Sequence, residues 1–181
     1  MDAIDLLKHD HRMVEQLFRN YRSAASATQR RGVVEILIRE LSKHAALEEL
    51  TVYPFARRYL PANAVDVDEH LTEHMAVKKL LAALDSLAAD DSQERDLVGE
   101  LQREVEHHVR DEEEHFMPAL RRAVDAKALQ QLGQQLDRAK KFAPTRPHPH
   151  APDKPPAETV VGAVAAVYDR LRDRLQGRPL T

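Results

Sequence analysis

His44-Ala45-Ala46-Leu47-Glu48-Glu49, followed by Pro54, decides how this chain folds, because the pattern is written twice. His108-Val109-Arg110-Asp111-Glu112-Glu113, followed by Pro118, repeats it as H-x-x-x-E-E-x-x-x-x-P. On an α-helix, residues i and i+4 are separated by about 40° of rotation, so each histidine and its first glutamate face the same way. Imidazole nitrogen beside carboxylate oxygen, on two helices, is the donor chemistry of a transition-metal site.

Working outward, the flanking residues read as four long helices. Helix A, about 2–24, carries Ile4, Leu7, His11, Val14 and Phe18 at alternating +3/+4 steps. Helix B, about 29–59, carries Leu37, Leu41, His44, Glu48, Val52 and Phe55. Helix C, about 66–88, carries Val67, His70, His74, Val77, Leu81 and Leu84; helix D, about 92–122, carries Leu97, Leu101, Val105, His108, Glu112, Phe116 and Ala119. Each is one apolar stripe of period ~3.6. The connections Ser23–Thr28, Pro61–Val65 and Ala89–Ser92 are short, which favours antiparallel neighbours. The expected fold is therefore all-α, an up-down-up-down four-helix bundle with a shorter fifth helix at about 125–140. Pro54 and Pro118 are expected to kink or close the final turns of helices B and D.

The two halves, 1–60 and 65–125, repeat each other. His11 and His74 are each followed by valine at +3 and leucine at +6, and each precedes an H-x-x-x-E-E motif. This implies pseudo-two-fold symmetry. A bundle domain over 1–142 gives way to a proline-rich linker at 143–157, whose composition favours extended polyproline II. A short amphipathic helix and tail at 158–181 follows, with Val160, Val161, Val164, Val167, Tyr168 and Leu171 on one face. That segment either packs back on the bundle or docks a protein partner through 158–175.

Composition removes several classes. The 181 residues include no cysteine, so disulfides, Fe–S clusters and thiolate zinc sites are excluded. A formal charge of −3, with acids and bases interspersed, gives nucleic-acid binding no electrostatic support. The N-terminus lacks the basic and apolar regions of a signal peptide, and no apolar run approaches the ~18 residues of a membrane span. A cytoplasmic monomer is the expectation.

His11, His44, Glu48, His74, His108 and Glu112 all interrupt apolar stripes. A lone stripe histidine reads as a satisfied core residue, but interruptions on four helices at matching depth do not. The stripes supply too few Lys or Arg to neutralise two buried carboxylates, and a metal cluster would do so. His70 shares the stripe of His74 and is either a ligand or a core histidine. Glu49 and Glu113 lie about 100° from their histidines and read as outer or solvated groups. Seven donors exceed the needs of one ion, whereas two ions bridged by Glu48 and Glu112 use them. Nitrogen-rich ligation with carboxylates suits iron, with Mn or Zn as alternatives. The ferritin-like Glu-x-x-His pattern occurs only on helix D, at Glu104/His107 and Glu112/His115.

These motifs resemble the hemerythrin-like family, the HHE cation-binding domain, over roughly residues 1–125. The residues that carry the resemblance are His9-Asp10-His11 with Leu17-Phe18, and the first H-x-x-x-E-E before Tyr53-Pro54. They continue with Glu73-His74 before Val77-Lys78-Lys79, and the second H-x-x-x-E-E before Phe116-Met117-Pro118. The resemblance implies an antiparallel bundle around an oxo- or hydroxo-bridged di-iron centre. By position it makes His11, His44, His70, His74 and His108 the imidazole ligands, and Glu48 and Glu112 the bridges. Respiratory members carry His-x-x-x-x-Asp on the last helix, where this chain has His108-x-x-x-Glu112, a departure that bears on bridging and on the oxygen pocket. Three histidines on one iron and two on the other would leave the second open. The implied function is to bind or sense dioxygen, peroxide or nitric oxide. A peroxide-decomposing or other oxidative enzyme, and an iron-handling or stress-response interaction module, are the alternatives. His107, Glu113 and Tyr53 are the nearby groups able to pass protons.

Overall fold

A computed structural model describes residues 1–61, 64–149, 166–170 and 172–173, and every regular element among them is helical. They are α1 (Ala3–Ser23), α2 (Ala27–Leu47), α3 (Tyr53–Tyr59), α4 (Val67–Ser86), α5 (Glu94–Asp111), α6 (Met117–Ala123) and α7 (Ala126–Lys140). Side chains set the starts. Asp2 and Asp5 form a capping box on α1, while Ser26, Asp66 and Asp125 accept backbone N–H bonds at the heads of α2, α4 and α7. Among the described residues no helix is long and apolar enough to cross a membrane.

Helices B and D are each broken by one wide turn that the sequence reading did not foresee. Residues Glu48–Val52 join α2 to α3, and Glu112–Phe116 join α5 to α6, as π-helical turns. In each, an N–H reaches back five residues, from Tyr53 to the Glu48 carbonyl and from Met117 to the Glu112 carbonyl. Pro54 and Pro118 follow directly. Proline donates no N–H and its ring crowds the carbonyl four residues back, so the widened turn relieves both problems while the rod runs on to Tyr59 and Ala123. The extra residue advances the stripe by one. Ala56 and Leu120 are buried where Phe55 and Ala119 were expected, and Tyr53 and Met117 turn inward.

α1 packs against α2 and α7, and α4 packs against α2 and α5. Gly133 of α7 lies on the chain start, where a Cβ would sit 2.9 Å from the Met1 carbonyl oxygen. The buried apolar residues fall into two clusters. One holds Ile4, Leu7, Val52, Tyr53, Val67, Phe116, Met117 and Leu132; the other holds Val14, Phe18, Leu37, Leu41, Val77, Leu81, Leu101 and Val105. α1 and α4 run from the first cluster to the second, and the α2 and α5 rods run back. Between the clusters every rod passes through one polar layer.

The expected linker at 143–157 and tail at 158–181 lie largely outside the described residues, as do Val160, Val161, Val164 and Leu171. What is described folds back on the bundle. Thr145 and Arg146 are buried, and their backbone N–H groups donate to Asp169 at 3.1 Å each. The Arg146 guanidinium meets Asp173 at 2.9 Å and also Asp85 of α4. Carboxylates face inward because a buried guanidinium needs them. Val167 and Tyr168 stay 61% and 64% exposed.

Candidate metal centre

The polar layer contains all seven donors anticipated from the sequence. His11 comes from α1, His44 from α2, His70 and His74 from α4, and His108 from α5. Glu48 and Glu112 are the first residues of the two π turns, and both are 0% exposed. Three sets of donor atoms lie within 4.8 Å of one another: His11, His44, Glu48 and Glu112; Glu48, His74 and His108; and His70, His108 and Glu112. The two carboxylates thus belong to both ends of the layer.

Nε2 atoms converge on the carboxylates. Glu48 Oε2 lies 3.3 Å from His44 Nε2 and 3.2 Å from His74 Nε2, and Glu112 Oε2 lies 3.3 Å from His11 Nε2. His108 Nε2 is 3.7 Å from Glu112 and 3.9 Å from Glu48. These contacts are close without being aligned as hydrogen bonds. Both Glu48 oxygens, Glu112 Oε2, His11 Nε2 and His44 Nε2 are buried with no hydrogen-bond partner. Leaving such atoms unpaired in a core costs several kcal/mol in order of magnitude. Nitrogen and oxygen donors, buried, unpartnered and convergent, fit a transition-metal cluster. Burial alone would raise the Glu48 carboxyl, but His44, His108 and His74 hold it well below the usual range. Burial likewise opposes charge on His11 and His108, yet Glu112 and Glu48 pull both upward.

Tyr53 enters the layer through the first π turn. Its hydroxyl donates to Glu112 Oε1 at 3.3 Å and lies 3.2 Å from His74 Nε2, while its ring stacks on His70 at 5.7 Å. Burial, then Glu48 and Glu112, push its hydroxyl well above the ordinary value, so it stays a proton donor. A small cavity of about 20 Å³, lined by His11, His44, His74, His108 and Val14, Leu41, Val77, Val105, touches the layer. It has room for one water-sized molecule. A groove of about 530 Å³ between α1 and α5 shares His11, Val14, Val105 and Val109 with it and opens to solvent.

Around the layer sit five more carboxylates, of which Asp111 lies 3.5 Å from His70 Nε2 and the other four approach Nδ1 atoms. Glu49 lies 2.9 Å from His74 Nδ1, Glu113 2.9 Å from His11 Nδ1, Glu73 2.7 Å from His108 Nδ1, and Asp10 3.9 Å from His44 Nδ1. Glu49 and Glu113 therefore stand outside the donor sets, as their rotation predicts. Asp10, Glu73 and Tyr53 went unrecognised as partners of the imidazoles. The signal for the first two was an acid directly before the lone histidine in both halves, Asp10-His11 and Glu73-His74. The signal for Tyr53 needed the π turn. Of the other histidines, His9 is exposed, His115 pairs with Asp111, and His107 touches Glu73 at 3.0 Å.

The charges set a pH dependence for the metal-free protein. Burial opposes ionisation of Asp10, Glu49 and Glu73, but His44, His74 and His108 respectively hold them below their ordinary values. Arg12 takes Glu113 to about 2. Depressed carboxyls stabilise the fold above the ordinary value of 4.5 and lose that contribution as pH falls through the folded value. Raised imidazoles stabilise below 6.5 and lose their contribution as pH rises through the folded value. Urea denaturation of the metal-free protein is therefore expected to show a stability maximum between about pH 4.5 and 6.5, falling on both sides. A profile that keeps rising to pH 8 contradicts this.

Comparison with known proteins agrees with the site. The family model "Hemerythrin HHE cation binding domain" matches residues 2–120 and again 72–177. An uncharacterized hemerythrin-like protein of Schizosaccharomyces pombe is 33% identical over 178 residues, covering 97% of this chain and 87% of that protein. A protein named DNA nickase from Nostoc sp. is 25% identical over 140 residues, covering 77% of this chain but 39% of that protein. No solved structure matches. With the matching domain spanning most of its length and its buried histidines and glutamates grouped for a cation, this chain belongs to the hemerythrin HHE cation-binding family.

Proposed function

We propose that the chain is a non-haem di-iron protein that binds or senses dioxygen, peroxide or nitric oxide. The observation that carries the proposal is the sharing of Glu48 and Glu112, wholly buried and with unpartnered oxygens, between the donor sets at both ends of the layer. His11 and His44 would serve one iron, and His70, His74 and His108 the other. The imbalance leaves one position for an exogenous molecule. The architecture is read as an up-down-up-down bundle, supported by the alternating order in which the four rods cross the two apolar clusters.

Held by these residues, a reduced iron pair would supply two electrons and an exchangeable coordination position. The residues do the rest. The cavity of about 20 Å³ admits one small molecule, and Val14, Leu41, Val77 and Val105 give it an apolar wall. Tyr53 holds a proton beside Glu112. The groove between α1 and α5 gives solvent a way to His11. The test is metal analysis with ultraviolet-visible spectra of the purified protein, before and after azide or peroxide. Two irons per chain and an azide-sensitive oxo-bridge band support the reading. One zinc, or no metal after iron supplementation, overturns it. Sustained peroxide turnover in stopped-flow mixing would move the protein to the oxidative-enzyme class.

A further inference from the structure

Four of the outer carboxylates follow a rule that the repeated halves make visible. In each half, the acid before the lone histidine faces the motif histidine of the same half: Asp10 to His44, and Glu73 to His108. The second glutamate of each motif reaches the lone histidine of the other half: Glu49 to His74, and Glu113 to His11. All four approach Nδ1, three as hydrogen bonds and Asp10 only to 3.9 Å, where His44 Nδ1 has no hydrogen-bond partner. Each carboxylate is held on its other side by a cation or a further imidazole. Lys140 of α7 donates to Asp10 at 2.6 Å, and Lys78 donates to Glu49 at 2.5 Å. Arg12 donates to both oxygens of Glu113 at 2.8 and 3.0 Å, while Glu73 also meets His107 at 3.0 Å.

We infer that Glu49, Glu73 and Glu113 are positioning residues that fix His74, His108 and His11 with Nδ1–H outward and the Nε2 lone pair aimed at the metal layer. An imidazole offers a lone pair from one nitrogen only while its proton sits on the other. A carboxylate accepting at Nδ1 selects that tautomer, orients the ring and raises its basicity. The doubled glutamate is thus one residue pair with two duties. The first member faces the centre, and the second braces the histidine that the opposite half contributes. Asp10 is held instead by Lys140 of α7. The inference deepens the metal-binding reading above and can be tested apart from it.

Long-range proton–nitrogen spectra of the metal-free protein at alkaline pH report the tautomer directly. In the wild type the His74 proton is expected on Nδ1; in Glu49→Ala it moves to Nε2, the form that free imidazole side chains favour. Glu49→Gln keeps an accepting oxygen and retains Nδ1–H. Equilibrium competition for ferrous ion against a chelator, without oxygen, is expected to show affinity lowered ~10–100-fold in Glu49→Ala and in Glu113→Ala, and less in the glutamine variants. An unmoved His74 proton with unchanged iron affinity overturns the assignment, as does an equal loss in the alanine and glutamine variants. Should alanine at 49 unfold the chain, Glu113→Ala and the His11 proton carry the same two measurements. A wild type that binds no iron refutes the di-iron reading, yet the His74 proton still decides this one.

Discussion

Glu48→Ala is expected to leave the protein without its metal pair. The oxygens of Glu48 approach His44 on one side of the layer and His74 and His108 on the other. Its removal takes a donor from both ends at once. An outer carboxylate such as Glu49 acts through an imidazole that remains in place, so its loss costs ~10–100-fold in affinity; loss of a shared donor costs more than that range. Glu48→Gln preserves volume in a fully buried site while removing the charge that offsets two metal ions. It separates loss of ligation from loss of packing. The expected result is iron content near background in both variants, with helical circular dichroism retained in Glu48→Gln. Wild-type iron content in either variant contradicts the bridging role.

The contrast between Glu48 and Glu49 shows how far the sequence could be read. Periodicity alone separates them, because one residue is a rotation of about 100° on a helix. The same arithmetic places His11, His44, His70, His74 and His108 on core stripes, and the structure brings all five into one layer. Beyond Glu48 and Glu112 it still places Val52 and Phe116 in the core and then slips, because the π turns insert a residue and re-phase each rod. Tyr53 has no place on a strict 3.6-residue stripe for that reason, and Ala56 holds the place that such a stripe gives Phe55. Nothing in a strict 3.6-residue period signals such a turn, although a proline after two acidic residues, in both copies, marks where the regular ladder cannot continue. Asp10 and Glu73 were missed for a different cause. Each neighbours a histidine in sequence but serves a histidine on another helix. Contacts between helices depend on packing, and only the repetition of acid-His in both halves hinted at them. In the C-terminal extension, Asp169 and Asp173 contact Thr145 and Arg146, long-range polar contacts that no helical period signals.

Stripping the metal from the loaded protein is expected to lower its melting temperature by about 8–16 °C near pH 8, since a ligand at a thousand times its dissociation constant stabilises by about 4 kcal/mol and each kcal/mol moves a chain of this size by about 2–4 °C. The physical origin lies in the layer itself. Without metal, Glu48, Glu112, His11 and His44 keep buried atoms that no hydrogen bond satisfies. Ligation gives those atoms a partner in the folded state only, because the four rods assemble the donors. The pH trend should run opposite to that of the metal-free protein. His11 and His108 are pulled above their ordinary value, so at low pH a metal must displace protons to bind them. The gap between loaded and stripped protein therefore widens from about pH 6 to pH 8, while the stripped protein alone loses stability over the same interval. Scanning calorimetry of iron-loaded and chelator-treated samples at the two pH values measures both trends together. Equal melting temperatures at pH 8, or a gap that narrows as pH rises, would mean that the buried histidines and glutamates serve the fold rather than a metal.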